Sequence, residues 1–279
     1  MLLGYNSNGL AHHDLESALE LLAEIGYESV AITLDHGALD PFERDWMAQV
    51  QRVRQRLRQL GLASAIETGA RFLLDPINKH EPTLVSADAA ERARRVLFLQ
   101  RAIDTAAELA SGCVSLWAGV VGETADEATV WHRLTSGLQE VLDHAERRGV
   151  DIGFEPEPGM FVDTMPRFAQ LIERLPHPRL KLTLDVGHLH CQGETPLADH
   201  IRAWSASLVN VHIEDMRRGV HEHLMFGEGE IDFPPVLAAL AEVGYRGGLH
   251  VELSRHGHEG PSAAKRAFSF LRPLVPPTN

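Results

Sequence analysis

DIGFEPEPGMFVDTMPRFAQLIERLPHPRLKLTLDVGH, residues 151–188, is the stretch that decides the fold. An apolar run (151–157) gives way to a turn, then to an amphipathic segment (166–175) opening on Pro166, then to a second apolar run (180–188). Proline suits a helix start because the first-turn amides have no intrahelical acceptor. Working outward, the same unit recurs. Further apolar runs lie at 2–8, 29–35, 63–69, 113–119, 208–215 and 248–254. Helical patterns lie at 14–25, 42–60, 88–110, 127–148, 197–204, 234–243 and 261–271. The first of them sets Leu15, Ala18, Leu19, Leu22 and Ile25 on one face, between a capping Asp14 and a terminating Gly26. Near-continuous apolar strands alternating with helices imply a parallel sheet covered on its faces. Eight units in 279 residues give about 35 residues each, the length of one strand, one helix and two loops. The expectation is an α/β chain folded as a single (β/α)8 barrel over residues 1–279, with an open doubly wound sheet as the alternative. No linker or low-complexity tract interrupts the chain before the tail PLVPPTN. The longest irregular stretch, 70–86, reads equally well as a binding loop or as a packed surface loop.

Composition narrows the function. Lys and Arg total 26 against 39 Asp and Glu, a net charge of −13, so general binding to a phosphate backbone would need a basic patch that is not there. Two cysteines, Cys113 and Cys191, form no disulfide framework and suggest a reducing cytoplasm or simple packing. The first residues lack a basic leader, and no apolar run reaches about 18 residues, so a soluble, cytoplasmic protein is expected.

In a barrel of this kind the site lies where strands end, and the residues there are carboxylates and imidazoles. The fifth strand ends in Glu155 and Glu157, the sixth in Asp185 and His188, the seventh in His212, Glu214 and Asp215, and the eighth in Glu252. An isolated buried carboxylate is unfavourable, so such groups pair or bind metal. Glu155, Asp185, His212 and Glu252 together form an oxygen-rich divalent cation site, for which Mn²⁺, Mg²⁺, Co²⁺ and Zn²⁺ are all admissible. His188, His221 and His223 make a second cluster, which reads as a second metal site, a phosphate site or a solvated polar loop.

At these residues the chain resembles the xylose isomerase-like TIM barrel superfamily, which holds sugar phosphate isomerases and epimerases, ketose 3-epimerases, inosose dehydratases and endonuclease IV. The resemblance runs from GYNSNG at the first strand to HVELS (250–254), through LDVGHLH (184–190), VHIEDMRRG (211–219) and HLMFGEGEIDF (223–233). It implies one divalent cation, Mn²⁺ foremost, on Glu155, Asp185, His212 and Glu252. It also implies acid–base roles for Glu155 and Glu252, and substrate contacts for His188 and Arg217. The endonuclease pattern is incomplete, because the third strand offers Glu67 where a histidine belongs and the seventh loop reads His221-Glu222-His223.

The expected reaction is isomerisation or epimerisation of a small sugar, sugar phosphate or related polyol ketone through an enediolate, one carboxylate taking a proton and the other returning one. A dehydratase of the inosose or dehydroshikimate kind shares the first step. A phosphodiester hydrolase and a non-catalytic sugar-binding protein are the remaining alternatives. Trp117 and Phe72 read either as an apolar wall for the sugar or as barrel packing. Glu67 and Arg71 read as a third-strand substrate contact or as an internal ion pair, and Glu157 is a further candidate substrate contact. His12 and His13 read as surface residues, with Asn6 or His13 within reach of a pocket. Homo-oligomers are common among related barrels.

Overall fold

Parallel pairing runs without a break around eight strands in the computed structural model, which describes residues 1–275. The strands are β1 (Leu2–Asn6), β2 (Ser29–Thr33), β3 (Ala63–Glu67), β4 (Val114–Leu116), β5 (Ile152–Phe154), β6 (Leu180–Asp185), β7 (Leu208–Ile213) and, as the eighth stave, β10 (Gly248–Val251). They close in the order β1-β10-β7-β6-β5-β4-β3-β2, so the open doubly wound alternative is excluded. Residues 276–279, the last four of the tail, lie outside the described residues.

The helices are α1 (Leu15–Ile25), α2 (Trp46–Leu60), α3 (Ala89–Leu109), α4 (Glu127–Arg148), α5 (Met165–Arg174), α6 (Val186–Gln192), α7 (Leu197–Trp204), α8 (Phe233–Glu242) and α9 (Gly260–Leu271). Asp14 caps α1 as its sequence suggests, accepting from the Ser17 amide at 2.9 Å, and Gly26 ends it at φ 111°. The helical layer packs on the strands through apolar side chains. Phe168 of α5 is fully buried, with ring centroids 6.0 Å from Phe154 of β5 and 5.1 Å from Trp204 of α7. No described helix is long and apolar enough to cross a membrane.

Three sequence expectations are corrected. The run 180–188 does not stay extended to His188, because the Asp185 carboxylate accepts the His188 amide at 2.8 Å and starts α6 at Val186. The second helix begins at Trp46 rather than at residue 42, since Asp40 accepts the Phe42 amide at 2.8 Å and holds the preceding residues in a turn. The segment after the seventh strand is an antiparallel hairpin, β8 (Asp215–Arg217) with β9 (Val220–Leu224), that stands on the rim. Both the Asp185 and the Asp40 bonds run from a backbone amide to a nearby side chain, which apolar periodicity does not report.

Truncating Phe168 to alanine should empty a fully buried aromatic site and lower unfolding free energy by about 3–5 kcal/mol in urea titrations. A loss under about 1 kcal/mol would show that this sheet-to-helix layer does not carry the fold.

Candidate metal centre and substrate cavity

Four strand ends deliver one cluster. Glu155 follows β5, Asp185 closes β6, His212 lies on β7 and Glu252 follows β10. Their ligand atoms all lie within 4.8 Å of one another. His212 Nδ1 is the hub, 3.0 Å from Glu155 Oε1, 3.0 Å from Glu252 Oε2 and 3.9 Å from Asp185 Oδ2. On its other side His212 Nε2 lies 2.9 Å from Glu67 Oε1. Asn8 Nδ2 donates to Glu252 Oε1 at 2.8 Å, which ties the eighth strand end to the first.

The electrostatics follow from burying so many acids together. Burial pushes the Glu155 carboxyl up to about 8, against the pull of His212, and burial likewise raises Glu157 and Glu214 well above the usual carboxylate range. Burial works against ionised Glu252, but His212 together with His223 and His188 outweighs it and holds that carboxyl below its ordinary value. Burial alone would lower His212, yet Glu155, Glu67 and Glu252 raise it well above an ordinary imidazole. Asp185 Oδ2 is buried with no hydrogen-bond partner. A bare carboxylate oxygen inside a protein is unfavourable by several kcal/mol unless a cation or donor meets it. Three carboxylates and one imidazole, with one oxygen left bare, fit a divalent cation bound through oxygen and nitrogen.

A second cluster adjoins the first. His188 is buried, its Nε2 3.1 Å from His221 Nε2, and its Nδ1 is 3.6 Å from Glu155 and 3.8 Å from Glu157. Burial drives the His188 imidazole down to about 3, so it is neutral. His188, His221 and His223 bring ligand nitrogens within 4.8 Å of one another, as do the corresponding atoms of Asp185, Glu214 and His223. Glu214 is fully buried, both its oxygens lack a partner, and Gly187 leaves it room, for a Cβ there would lie 2.0 Å from Glu214 Oε1.

Glu155, His212 and Glu252 of the first cluster and His221 and His223 of the second line a cavity of about 410 Å³, whereas Asp185 and His188 line a separate small hollow. Trp117 and Glu67 line the larger cavity, as does Asn6. Arg95, fully buried, stacks behind Trp117 at 4.5 Å from the ring centroid, and His80 meets that ring edge-on at 5.6 Å. Phe72 is 45% exposed and lies outside the cavity wall, so the paired aromatic wall reduces to Trp117. Arg217 is also displaced from its expected place. It is exposed on β8 with Nη2 donating to the Glu228 carbonyl at 2.9 Å, while Arg255 and Lys79 reach the cavity mouth instead. Arg71 lies 3.8 Å from Asp35 and Glu67 bonds His212, so of the two readings of Glu67 and Arg71 the internal ion pair does not form, while both side chains line the cavity. His12 and His13 border a neighbouring hollow.

Asp215, which the sequence shows only as one of the polar residues closing the seventh strand, has a structural role. Buried at the root of the hairpin, its carboxylate accepts the amides of Met216, Gly227, Gly229 and Ile231 at 2.8–3.1 Å. This one anion ties the GEGE turn to β8 and so sets where β9 presents His221 and His223.

Two outcomes follow. Asp215→Ala should strip four amides of their acceptor, destabilise the protein by about 3 kcal/mol or more, and speed hydrogen exchange at Gly227, Gly229 and Ile231 ahead of the barrel strands. Unchanged exchange there would contradict the anchor. Below about pH 8 Glu155 carries a proton that a cation must displace, so Mn²⁺ affinity should rise with pH up to that point. Calorimetry in buffers of different ionisation enthalpy reads the released proton, and pH-independent binding would contradict it.

L-ribulose-5-phosphate 3-epimerase UlaE of Salmonella paratyphi A is 28% identical over 249 residues, covering 88% of this chain and 84% of that protein. Among solved structures, an L-ribulose 3-epimerase superposes with TM-score 0.77 at 23% identity, over 98% of this chain and 94% of the other. The IOLI protein, whose crystal structure holds a zinc atom, superposes with TM-score 0.77 at 19% identity, over 99% and 98%. The model of the xylose isomerase-like TIM barrel family matches residues 19–274, and the chain belongs to that family.

Proposed function

We propose that this enzyme is a divalent-metal-dependent isomerase or epimerase of a small ketose or ketose phosphate, with Mn²⁺ as the leading cation. The observation that carries the reading is the approach of Glu155 and Glu252, from strands separated by β6 and β7 in the barrel, to the same nitrogen of His212. A cation held by Glu155, Asp185, His212 and Glu252 would supply electrophilic polarisation of the substrate carbonyl. The protein's own groups do the rest. One of the two glutamates takes the proton from the carbon beside the carbonyl, and the other delivers a proton to the opposite face, which inverts that centre. Trp117, pinned by Arg95 and His80, offers its ring to the carbon face of the sugar. His188 and Glu157 meet substrate oxygens. His188, His221 and His223 would also take a second cation or the substrate's phosphate, and metal stoichiometry decides between those two.

The UlaE relative acts, by name, on a phosphorylated pentulose, which fits Lys79 and Arg255 at the cavity mouth. The barrel would act as one domain. Free, buried Cys113 and Cys191 fit a reducing, cytoplasmic setting.

Glu155→Gln and Glu252→Gln should each lower turnover by about 10²–10⁴-fold in an epimerisation assay over ketopentoses, ketohexoses and their phosphates with Mn²⁺. Retained turnover in either variant would remove the two-carboxylate scheme. Loss of water from the product, seen by mass, would move the assignment to a dehydratase.

A further inference from the structure

Behind His212, on the side away from the cation cluster, the barrel interior holds a single file of buried polar groups that the catalytic scheme does not use. Asn210 lies two residues before His212 on β7, hence on the same face of the strand. His250, on the neighbouring β10, is in register with His212. Its imidazole sits in a slot that two glycines leave open. A Cβ on Gly4 would fall 2.3 Å from His250 Cδ2, and one on Gly248 would fall 2.1 Å from His250 Cε1. The room for this ring is therefore built by its strand neighbours.

The direction of every hydrogen bond in the file follows from its carboxylate end. Glu67 Oε1 lies 2.9 Å from His212 Nε2 and 3.1 Å from Asn210 Nδ2, and those two nitrogens lie 3.1 Å apart as donors that share Glu67 as their acceptor. A carboxylate only accepts, so the NH₂ side of the Asn210 amide must face it. Asn210 Oδ1 then points to His250 Nδ1, 2.8 Å away, which must carry a proton. With that proton on Nδ1, His250 Nε2 is left to accept from the Ser29 hydroxyl at 2.9 Å. The file runs one way, from Ser29 through His250 and Asn210 to Glu67. It orients Glu67 as the acceptor for a proton on His212 Nε2, which leaves the Nδ1 lone pair pointing at Glu155, Asp185 and Glu252.

We propose that Asn210 and His250 are positioning residues for the metal-binding histidine, fixing through Glu67 the tautomer in which His212 Nδ1 can ligate a divalent cation. The inference rests on the cation-site reading above. Groups that orient a metal-bound histidine through its second nitrogen influence affinity by 10–100-fold in metalloproteins.

The test is Mn²⁺ affinity by calorimetry on chelator-stripped protein, with circular dichroism confirming that each variant is folded. Asn210→Leu should weaken Mn²⁺ binding by about 10–100-fold. His250→Phe keeps the ring shape but loses the donated proton, and it should weaken binding in the same direction. His250→Gln can still donate to Asn210 Oδ1 and should recover most of the loss. Should Asn210→Leu fail to fold, the His250 pair decides alone. Folded variants that bind Mn²⁺ as tightly as the parent would overturn the inference, and so would an equal loss in His250→Phe and His250→Gln, since packing rather than the proton would then be responsible. A parent protein that does not bind Mn²⁺ overturns the cation reading itself, a failure distinct from either of these.

Discussion

Three carboxylates and one imidazole forced into a common buried point are the constraint on which the rest of the site depends. Their mutual repulsion and desolvation would be severe if all were ionised and unpartnered. Without a cation the cluster relieves itself by holding protons, on Glu155 and on both sides of His212, and it still leaves Asp185 Oδ2 bare. A divalent cation would meet all four donors at once. The barrel makes this possible because it brings residues from β5, β6, β7 and β10, nearly a hundred positions apart in the chain, to one rim with rigid strands beneath them.

Around that point the supporting parts divide by depth. Below it, Glu67 grips the far nitrogen of His212, and Asn8 grips Glu252 from just beyond the first strand. Above it, the β8–β9 hairpin carries His221 and His223 over the cavity, rooted by the Asp215 carboxylate among four amides. To one side, Arg95 and His80 hold Trp117. The charged floor and the imidazole wall face a cavity whose mouth carries Lys79 and Arg255, a polarity suited to a small polyol with an anionic or hydroxylated far end.

Much of this is legible in the sequence. Eight apolar runs separated by helical patterns sufficed for the barrel, and the strand-end carboxylates of EPE, LDVGH, VHIED and HVELS marked the cluster because polar residues closing buried strands need a reason to be there. What was not legible shares a physical cause. The start of α6 at Val186 depends on a side-chain cap, and the hairpin depends on a carboxylate reaching amides twelve and more residues on. Arg217 and Phe72 sit at positions whose spacing fits a cavity, yet backbone path and neighbouring carbonyls turn them outward. The Ser29–His250–Asn210 file is spread over three strands and becomes visible only once their register is known.

The most direct test follows the substrate proton itself. The Mn²⁺-loaded protein would be incubated in deuterated water with pentuloses, hexuloses and their phosphates, and proton NMR would follow the hydrogen on the carbon beside the carbonyl. The account predicts that for one of these ketoses this signal disappears as both epimers, or the isomeric aldose, accumulate with deuterium at that carbon. A protein that holds its cation yet exchanges no such proton in any ketose would contradict the assignment of this cluster to proton transfer.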